Sequence, residues 1–217
     1  MKIRSILAAA ALAVLGVACG GGGTNVTFTG NVRGQPLMPH DAISAPATIT
    51  TGAGTSSVAA IIITNDSGLC ALVGANKEPK NSQFFLMLLG ELNQTTGAIT
   101  AASKTGTYTV YAGGGGGLPP SQLAVVIFTS TNNTCKDPLI DAQTGNGGTN
   151  AITGTVKLTG IDNGAYTGTF DMMLKTLDSH GTAVAGQEAE HVTGTFNTSR
   201  CDAVSVLVSS NRTSTCI

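Results

Sequence analysis

Tryptophan is absent from this chain, and aromatic and charged residues are both scarce. Aromatic residues make up 4 % and charged residues 11 % of the 217 positions, and the formal net charge is −1. The chain therefore offers neither a basic patch for nucleic acid nor an acidic block that would attract a cationic partner. The few aromatic rings also argue against a sugar-binding module of the kind that stacks its ligand on flat rings. Composition alone assigns no activity to the chain.

The apolar run near the N-terminus is too short to cross a membrane. Residues 6–18 are almost wholly apolar, whereas a membrane span needs about 20 such residues. Lys2 and Arg4 precede the run, and small residues at 16–18 end it. A basic start, an apolar core and small residues in this order are typical of a secretory signal. We predict that residues 1–18 are a signal peptide.

Cys19 follows the apolar run directly and precedes four glycines. This arrangement resembles a bacterial lipoprotein signal, in which the cysteine becomes the acylated first residue of the mature protein. We predict acylation of Cys19, membrane anchoring through its acyl chains and a glycine-rich tether over residues 19–25. By resemblance to the sorting of such lipoproteins, Gly20 rather than Asp after the cysteine implies the outer membrane. Gly16 stands where that signal usually has Leu, Val or Ile, so ordinary cleavage after Ala18, with Cys19 left as a thiol, stays open.

The chain has five cysteines, and an odd number in a secreted protein leaves one without a disulfide partner. Acylation of Cys19 leaves four, which are enough for two disulfides in an oxidising compartment. Four cysteines allow three pairings, and the sequence does not decide among them. We favour Cys70–Cys135, which would tie an early helix to a central loop, and Cys201–Cys216, which would fasten the C-terminal tail to the last strands.

Low charge together with abundant Thr, Val and Ile and 29 Gly residues is typical of β structure with many turns. We predict one β-rich domain over residues 26–217, mostly antiparallel and folded as a β-sandwich, with a β-barrel as the alternative. Strand-like segments recur between turn signals, the last of them at residues 203–208. One short helix is expected near residues 67–75, capped by Asp66 or Ser67.

The triplet Thr-Gly-Thr occurs at residues 105–107, 153–155, 167–169 and 193–195, each time followed by an aromatic residue or Val. Alternation along a strand places the glycine on the apolar face and the threonines on the opposite face. An aromatic neighbour can then cover the glycine, or a second sheet can approach it closely. We interpret the repeat as a packing device. The alternative is that the glycines open an interior cavity, as in a lipocalin-like carrier.

The C-terminal half carries a series of glycine-threonine strands, at residues 154–159, 168–171 and 194–197, which ends at Cys201. Residues 66–72 read Asp-Ser-Gly-Leu-Cys-Ala-Leu. Together these segments resemble uncharacterised β-rich lipoproteins of myxobacterial type, and the resemblance covers most of the mature chain. That family has no established activity, so the resemblance implies the fold and the localisation only.

The candidate residues for chemistry are three histidines and two nearby carboxylates. His40 and His180 lie in turn-like segments, whereas His191 follows Glu188 and Glu190 at the start of a strand. This last group is the best candidate for a metal or acid–base site, and a solvated strand end is the plainer interpretation. The sequence has no Cys-x-x-Cys pair and no catalytic or phosphate-binding motif. We therefore predict no catalytic residues, no metal and no cofactor.

These features predict a lipid-anchored protein of the bacterial envelope without enzymatic activity. Its edge strands and glycine-rich loops would contact another envelope component, a protein or a polymer, and not nucleic acid. A small-molecule carrier with a barrel interior is the first alternative, and it would need a continuous apolar cavity. A hydrolase is the second, and it would need a histidine to meet a carboxylate in a cleft.

Overall fold

A computed structural model describes residues 25–51, 54–111, 119–137, 148–177, 184–207 and 214–217. The predicted signal peptide, Cys19 and His180 lie outside these residues. Within them the chain forms fifteen β-strands and two short helices. The strands are β1 (Thr27–Thr29), β2 (Asn31–Val32), β3 (Gln35–Pro36), β4 (Asp41–Thr51), β5 (Gly54–Thr64), β6 (Lys77–Glu78), β7 (Gln83–Leu92), β8 (Ile99–Ala101), β9 (Gly106–Val110), β10 (Gln122–Ser130), β11 (Gly148–Asp162), β12 (Ala165–Leu177), β13 (Glu190–Asn197), β14 (Ser199–Arg200) and β15 (Thr215–Cys216). The helices are α1 (Leu69–Gly74) and α2 (Val204–Leu207).

One curled sheet contains eleven of these strands. Its order is β1-β13-β12-β11-β9-β10-β7-β5-β4-β14, and β8 pairs with β7. Neighbouring strands are antiparallel except at β9–β10 and at β14–β4. Two small ribbons, β2–β3 and β6–β15, complete the β structure of the described residues. The predicted fold, mainly β and mostly antiparallel, is confirmed.

The two ends of the sheet meet because β13 and β14 are consecutive parts of one extended segment. Only Thr198 separates them, and β13 pairs with β12 and β1 whereas β14 pairs with β4. The hydroxyl of Ser44 in β4 lies 2.6 Å from that of Thr198 and donates to the carbonyl of Gly164, in the turn between β11 and β12. The sheet therefore curls until its two halves face each other across one core.

Apolar side chains fill the interior of the curl. Tyr108, Phe85 and Phe196 are fully buried there. Phe28 of β1 lies 5.3 Å from Phe85 of β7, measured between ring centres, although these strands are far apart in the sheet order. Phe170 of β12 contacts both rings. The packing is thus that of a sandwich made from a single curled sheet.

A second apolar cluster covers the outer face of β4, β5 and β7. It joins Ile43 and Ala45 of β4 and Ile62 of β5 to Leu69 of α1 and Val204 of α2. The central strands are consequently buried on both faces, which explains why their sequences are almost continuously apolar rather than alternating.

Helix α1 forms where it was predicted, but neither Asp66 nor Ser67 caps it. Its N-cap is Gly68, which has no side chain to offer. The backbone N–H of Leu69 instead donates to Oδ2 of Asp41 at 3.0 Å. The cap comes from the start of β4, a contact that the local sequence does not reveal.

The strand predicted over residues 203–208 is wrong, because the described part of this segment forms α2. The N–H of Val204 donates to the carbonyl of Cys201 at 3.0 Å, and the hydroxyl of Ser205 donates to the carbonyl of Asp202 at 2.8 Å. These contacts between residues three apart start a helical turn. One buried side chain, Val204, fastens that turn to the outer cluster, so the apolar alternation in the sequence was misleading.

Two disulfides form, but the predicted pairings Cys70–Cys135 and Cys201–Cys216 are both wrong. Cys70 of α1 pairs with Cys201, and Cys135 pairs with Cys216 of β15. The observed pairs join segments that are 131 and 81 residues apart in sequence.

The pairing of β14 with β4 and of β15 with β6 brings the cysteines together. Cys201 follows β14 directly, and its N–H donates to the carbonyl of Ser44 at 2.8 Å, which places it on β4 beside the start of α1. The C-terminal β15 pairs in parallel with β6. The turn that carries Cys135 lies against the same region, because Thr131 donates to the carbonyl of Pro79 at 2.8 Å.

Candidate functional site

The outer surface of β1, β13, β12, β11 and β9 carries an ordered set of threonines, which we call the threonine face. Its members are Thr27, Thr29, Thr107, Thr109, Thr153, Thr155, Thr167, Thr169, Thr193 and Thr195. Strand pairing aligns them in rows: Thr27, Thr195 and Thr169 are successive partners, and the row continues through Lys157 to Thr107. Neighbouring strands lie about 4.8 Å apart, and alternate residues of a strand about 6.7 Å. The hydroxyl groups therefore form a two-dimensional array.

Few charges interrupt the threonine face. Lys157 stands in one row and Asp171 in the next, and Oδ1 of Asp171 lies 2.8 Å from Nε2 of His191. Both members of that pair are largely exposed. Thr27 and Thr195 share a hydrogen bond of 2.9 Å between their hydroxyls. Because a hydroxyl can both donate and accept, the face suits polar contacts that do not depend on charge.

The inner side of the same strands explains the Thr-Gly-Thr repeat. Gly194 lies between Phe28 and Phe170, its direct partners on the two neighbouring strands, and Gly168 is the direct partner of Phe196. A Cβ atom on either glycine would meet an aromatic ring and a backbone carbonyl oxygen. Aromatic side chains thus cover both glycines, and the interpretation of the repeat as a packing device is confirmed at these two positions.

The predicted group around His191 does not assemble into a site. Glu190 and His191 are adjacent in β13, so their side chains point to opposite faces of the sheet. Glu190 accepts hydrogen bonds from the backbone N–H groups of Arg33 at 2.6 Å and Gly34 at 2.8 Å. His191 meets Asp171 on the outer face instead.

The other candidates are scattered. Glu188 is exposed, and so is His40, whose backbone N–H donates to the carbonyl of Thr64 at 2.8 Å. His180 lies outside the described residues. In the part of the chain that the structure describes, no three His, Cys, Asp or Glu residues lie close enough together to hold a metal ion. Neither of the two helices described is long and apolar enough to cross a membrane.

Arg33 forms a buried network at one end of the curl, which we call the arginine clasp. Its guanidinium binds Asp137 through two hydrogen bonds, of 2.9 and 3.1 Å, and only 11 % and 4 % of the two side chains are exposed. Nε donates to Thr149 at 2.9 Å, and Nη1 also donates to Ser130 at 3.0 Å. The guanidinium lies 5.3 Å from the centre of the Phe128 ring. The clasp joins the β2–β3 turn to β10 and β11.

The sequence gives no signal for the arginine clasp. Arg33 occupies a tight turn between two-residue strands, with a φ of 56°, and an arginine in such a turn is ordinarily exposed. Asp137 is 104 residues away in the chain and also accepts a hydrogen bond of 2.7 Å from Thr129. Only the closure of the sheet brings these residues together.

A polar pocket of about 260 Å³ opens at the opposite end of the curl, beside the end of β7. Its lining consists of Glu91, Leu92, Lys104, Ser121 and Gln122. Oε1 of Glu91 accepts hydrogen bonds from the backbone N–H groups of Ser103 at 2.8 Å and Lys104 at 3.0 Å. The hydroxyl of Tyr108 lies 3.3 Å from the same oxygen. Glu91 therefore holds the segment between β8 and β9 against β7.

The pKa values in this pocket agree with that structural role. Burial acts to raise the pKa of Glu91, but the hydrogen bonds from Ser103 and the charge and N–H of Lys104 outweigh it and lower the pKa below its usual value. Burial, followed by the charge of Glu91, raises the pKa of Tyr108 to about 12. Tyr108 thus remains protonated at neutral pH and donates to the carbonyl of Lys104 at 2.8 Å.

Comparison with known proteins finds no family model, no curated protein and no solved structure that matches this chain. The resemblance to β-rich lipoproteins of myxobacterial type therefore stays a prediction.

Proposed function

We propose that the protein is a lipoprotein of the bacterial envelope, anchored in the outer membrane through acylated Cys19, with a non-enzymatic contact or structural role. The observation that carries the proposal is the cysteine pairing, since Cys70, Cys135, Cys201 and Cys216 are all used in two disulfides. Cys19 is the one cysteine that these disulfides leave over. Disulfides persist in oxidising compartments outside the cytoplasm, which is where a secretory signal would deliver the chain.

Acylation accounts for the leftover cysteine and supplies an anchor in one step. Each CH₂ group of a buried acyl chain contributes about 0.8 kcal/mol, and stable anchoring needs more than a single chain. Several acyl chains on Cys19 meet that requirement without a membrane-spanning helix. The four glycines that follow Cys19 give the domain a flexible connection to the anchor.

The buried charged side chains bind other parts of the fold, and this supports a non-enzymatic role. Arg33 and Asp137 hold one end of the curl, Glu190 holds a turn, and Glu91 holds a loop at the other end. A carrier would need an apolar cavity. Aromatic and aliphatic side chains fill the interior of the curl instead. A hydrolase would need a histidine and a carboxylate in a cleft, whereas the described pair, His191 and Asp171, is largely exposed on the outer face of the sheet.

The threonine face is the surface that we propose for contact with another envelope component. It spans five strands of a sheet whose inner side is firmly packed, so its hydroxyl array is held in fixed positions. A partner that binds it removes water from few charges, because all members of the face are threonines and the charged residues in their rows are Lys157 and Asp171. This surface differs from the edge strands and glycine-rich loops that the sequence predicted, since β1 alone among its five strands lies at an edge of the sheet.

Replacing Cys19 with alanine is expected to move the protein from the membrane fraction to the soluble extracytoplasmic fraction, because the acyl chains are lost. Immunoblots of fractionated cells measure the change. The wild-type intact mass should correspond to residues 19–217 with acyl chains and two disulfides. The double variant Cys70→Ala/Cys201→Ala is the matched control, since it loses cysteines and should stay in the membrane fraction. A wild-type mass without acyl chains would contradict the proposed anchor.

A photo-crosslinking amino acid at Thr169 is expected to give a defined covalent adduct in intact cells, because this position lies in the middle of the threonine face. The same amino acid at Thr96, exposed in the turn between β7 and β8, is the control. Protease and glycosidase digestion of the adduct then separates a protein partner from a polymer. If Thr169 gives no more adduct than Thr96, the threonine face is not the contact surface.

A further inference from the structure

We propose that the hairpin of β4 and β5 extends towards the membrane and rests on its lipid surface. The relevant part, which we call the β4–β5 arm, comprises residues 45–51 and 54–58. This inference rests on the proposed acylation of Cys19, and it adds an orientation and a second membrane contact. Three observations carry it: the direction of the strands, the reach of the tether and the absence of charge in the arm.

Strand directions place the tether and the arm at the same end of the sheet. β4 is parallel to β14, and Ser44 lies opposite Arg200. Beyond Ser44, β4 therefore continues in the same direction as β13 and β14. β1 is antiparallel to β13, with Thr27 opposite Thr195. The start of β1, where the tether arrives, therefore lies at the end towards which β4 runs.

The base of the arm packs against the body of the sheet, and the arm then continues past the point at which β5 and β7 pair. The pairing of β5 with β7 stops at Ala59 and Leu89, and β7 pairs with β8 beyond that point. On its other edge β4 is paired with β14 only at Ile43 and Ser44. Ala47 and Val58 are buried in the second apolar cluster, and Ile49 packs against it. Beyond these residues the hairpin is held by its own cross-strand pairing, and it extends about 20 Å past Ser44.

The tether has a matching reach. Asn25 is six residues beyond Cys19, and an extended chain of that length covers at most about 20 Å. Thr27 of β1 pairs with Thr195, and Thr198, three residues further along the chain, lies against Ser44 of β4. The start of β1 and the start of the arm therefore lie at nearly the same height along the strand direction. An anchor inserted in the membrane therefore keeps the end of the arm within reach of the lipid surface.

The composition of the arm suits a lipid surface. No charged residue occurs between Asp41 and Asp66, so the arm can enter the headgroup layer without the cost of removing water from a charge. Thr48, Thr55 and Ser57 are exposed, and their hydroxyls can bond to phosphate and glycerol oxygens. The anchor also holds the arm near lipid at a high effective concentration, which favours lipid over a freely diffusing partner.

The absence of tryptophan makes this orientation measurable with single-tryptophan variants. Thr48→Trp places a reporter on the arm, and Met38→Trp places one at the opposite end, where Met38 is 66 % exposed. The acylated variants are reconstituted into vesicles of phosphatidylethanolamine and phosphatidylglycerol that carry bromine on the acyl chains. We expect several-fold stronger quenching for Thr48→Trp than for Met38→Trp. The preference of tryptophan itself for interfaces is the same in both variants.

The outcomes separate this proposal from the proposed anchor. Protein that fails to float with the vesicles contradicts the anchor. Protein that floats with equal quenching at both positions, or with stronger quenching for Met38→Trp, overturns the membrane contact of the arm and leaves the anchor standing. Ser57→Trp, the cross-strand neighbour of Thr48, replaces Thr48→Trp if that variant does not fold, with circular dichroism as the check.

Discussion

Replacing Arg33 with methionine is expected to lower the free energy of unfolding by about 3–5 kcal/mol, because it removes the cation from a buried ion pair. Asp137, whose side chain is 4 % exposed, would keep its hydrogen bonds to Thr129 and Ser130 but lose the guanidinium that neutralises it. For a chain of this size the loss corresponds to a fall of about 10 °C in Tm. Urea unfolding of the oxidised protein measures it.

Two further variants isolate the origin of this effect. Arg33→Lys retains the charge but cannot form the two parallel hydrogen bonds to Asp137, so it should recover only part of the stability. The double variant Arg33→Met/Asp137→Leu removes both charges and should be more stable than Arg33→Met, because the buried carboxylate is removed together with the guanidinium that neutralises it. If Arg33→Met costs less than about 1 kcal/mol, the pair behaves as a solvated surface ion pair and the clasp is not buried as described.

The arginine clasp also bears on the proposed function. It fixes the β2–β3 turn at the end of the curl opposite to the start of β1, which is the end that would face away from the membrane in the proposed orientation. Loss of the clasp should therefore destabilise the domain without releasing it from the membrane fraction. Measurements of stability and of localisation would thus report on separate parts of the molecule, the folded core and the proposed anchor at Cys19.

Features that depend on one strand at a time could be predicted from the sequence. The positions of Gly168 and Gly194 on the packed face follow from the two-residue repeat of a strand, and the outward threonines follow from the same alternation. The alignment of those threonines into rows could not be predicted, because it depends on the register between β1, β13 and β12. The sequence thus indicated the components of the threonine face but not the face itself.

Features that depend on closure of the sheet were missed or wrong. Cys201 reaches Cys70 only because β14 pairs with β4 after the chain has crossed from β13. Arg33 meets Asp137 for a similar reason, since the β2–β3 turn packs against strands from the middle of the chain. Neither contact leaves a periodic pattern in the local sequence. Pairing of distant segments is decided by the total packing of the core, which single-strand patterns do not contain.

Replacing Gly194 with alanine is expected to cost about 3 kcal/mol, because the added methyl group has no space. Its Cβ atom would overlap the carbonyl oxygen of Thr27 and the ring of Phe170. The oxygen belongs to the paired strand β1, and the ring is held by Phe28 and Phe85, with ring centres 5.5 and 5.1 Å away. Neither neighbour can move without disturbing the aromatic core. Thermal and urea unfolding measure the loss.

Gly148→Ala is the matched control, since a Cβ atom there meets nothing within 4 Å, and we expect a change within about 0.5 kcal/mol. The comparison tests the carrier alternative directly. If the Thr-Gly-Thr glycines opened an interior cavity, a methyl group at Gly194 would fill empty space and leave stability unchanged or raise it. A loss of about 3 kcal/mol at Gly194, with none at Gly148, instead means that the interior has no space beside Phe170 for a ligand, and the outer surface becomes the place to look for function.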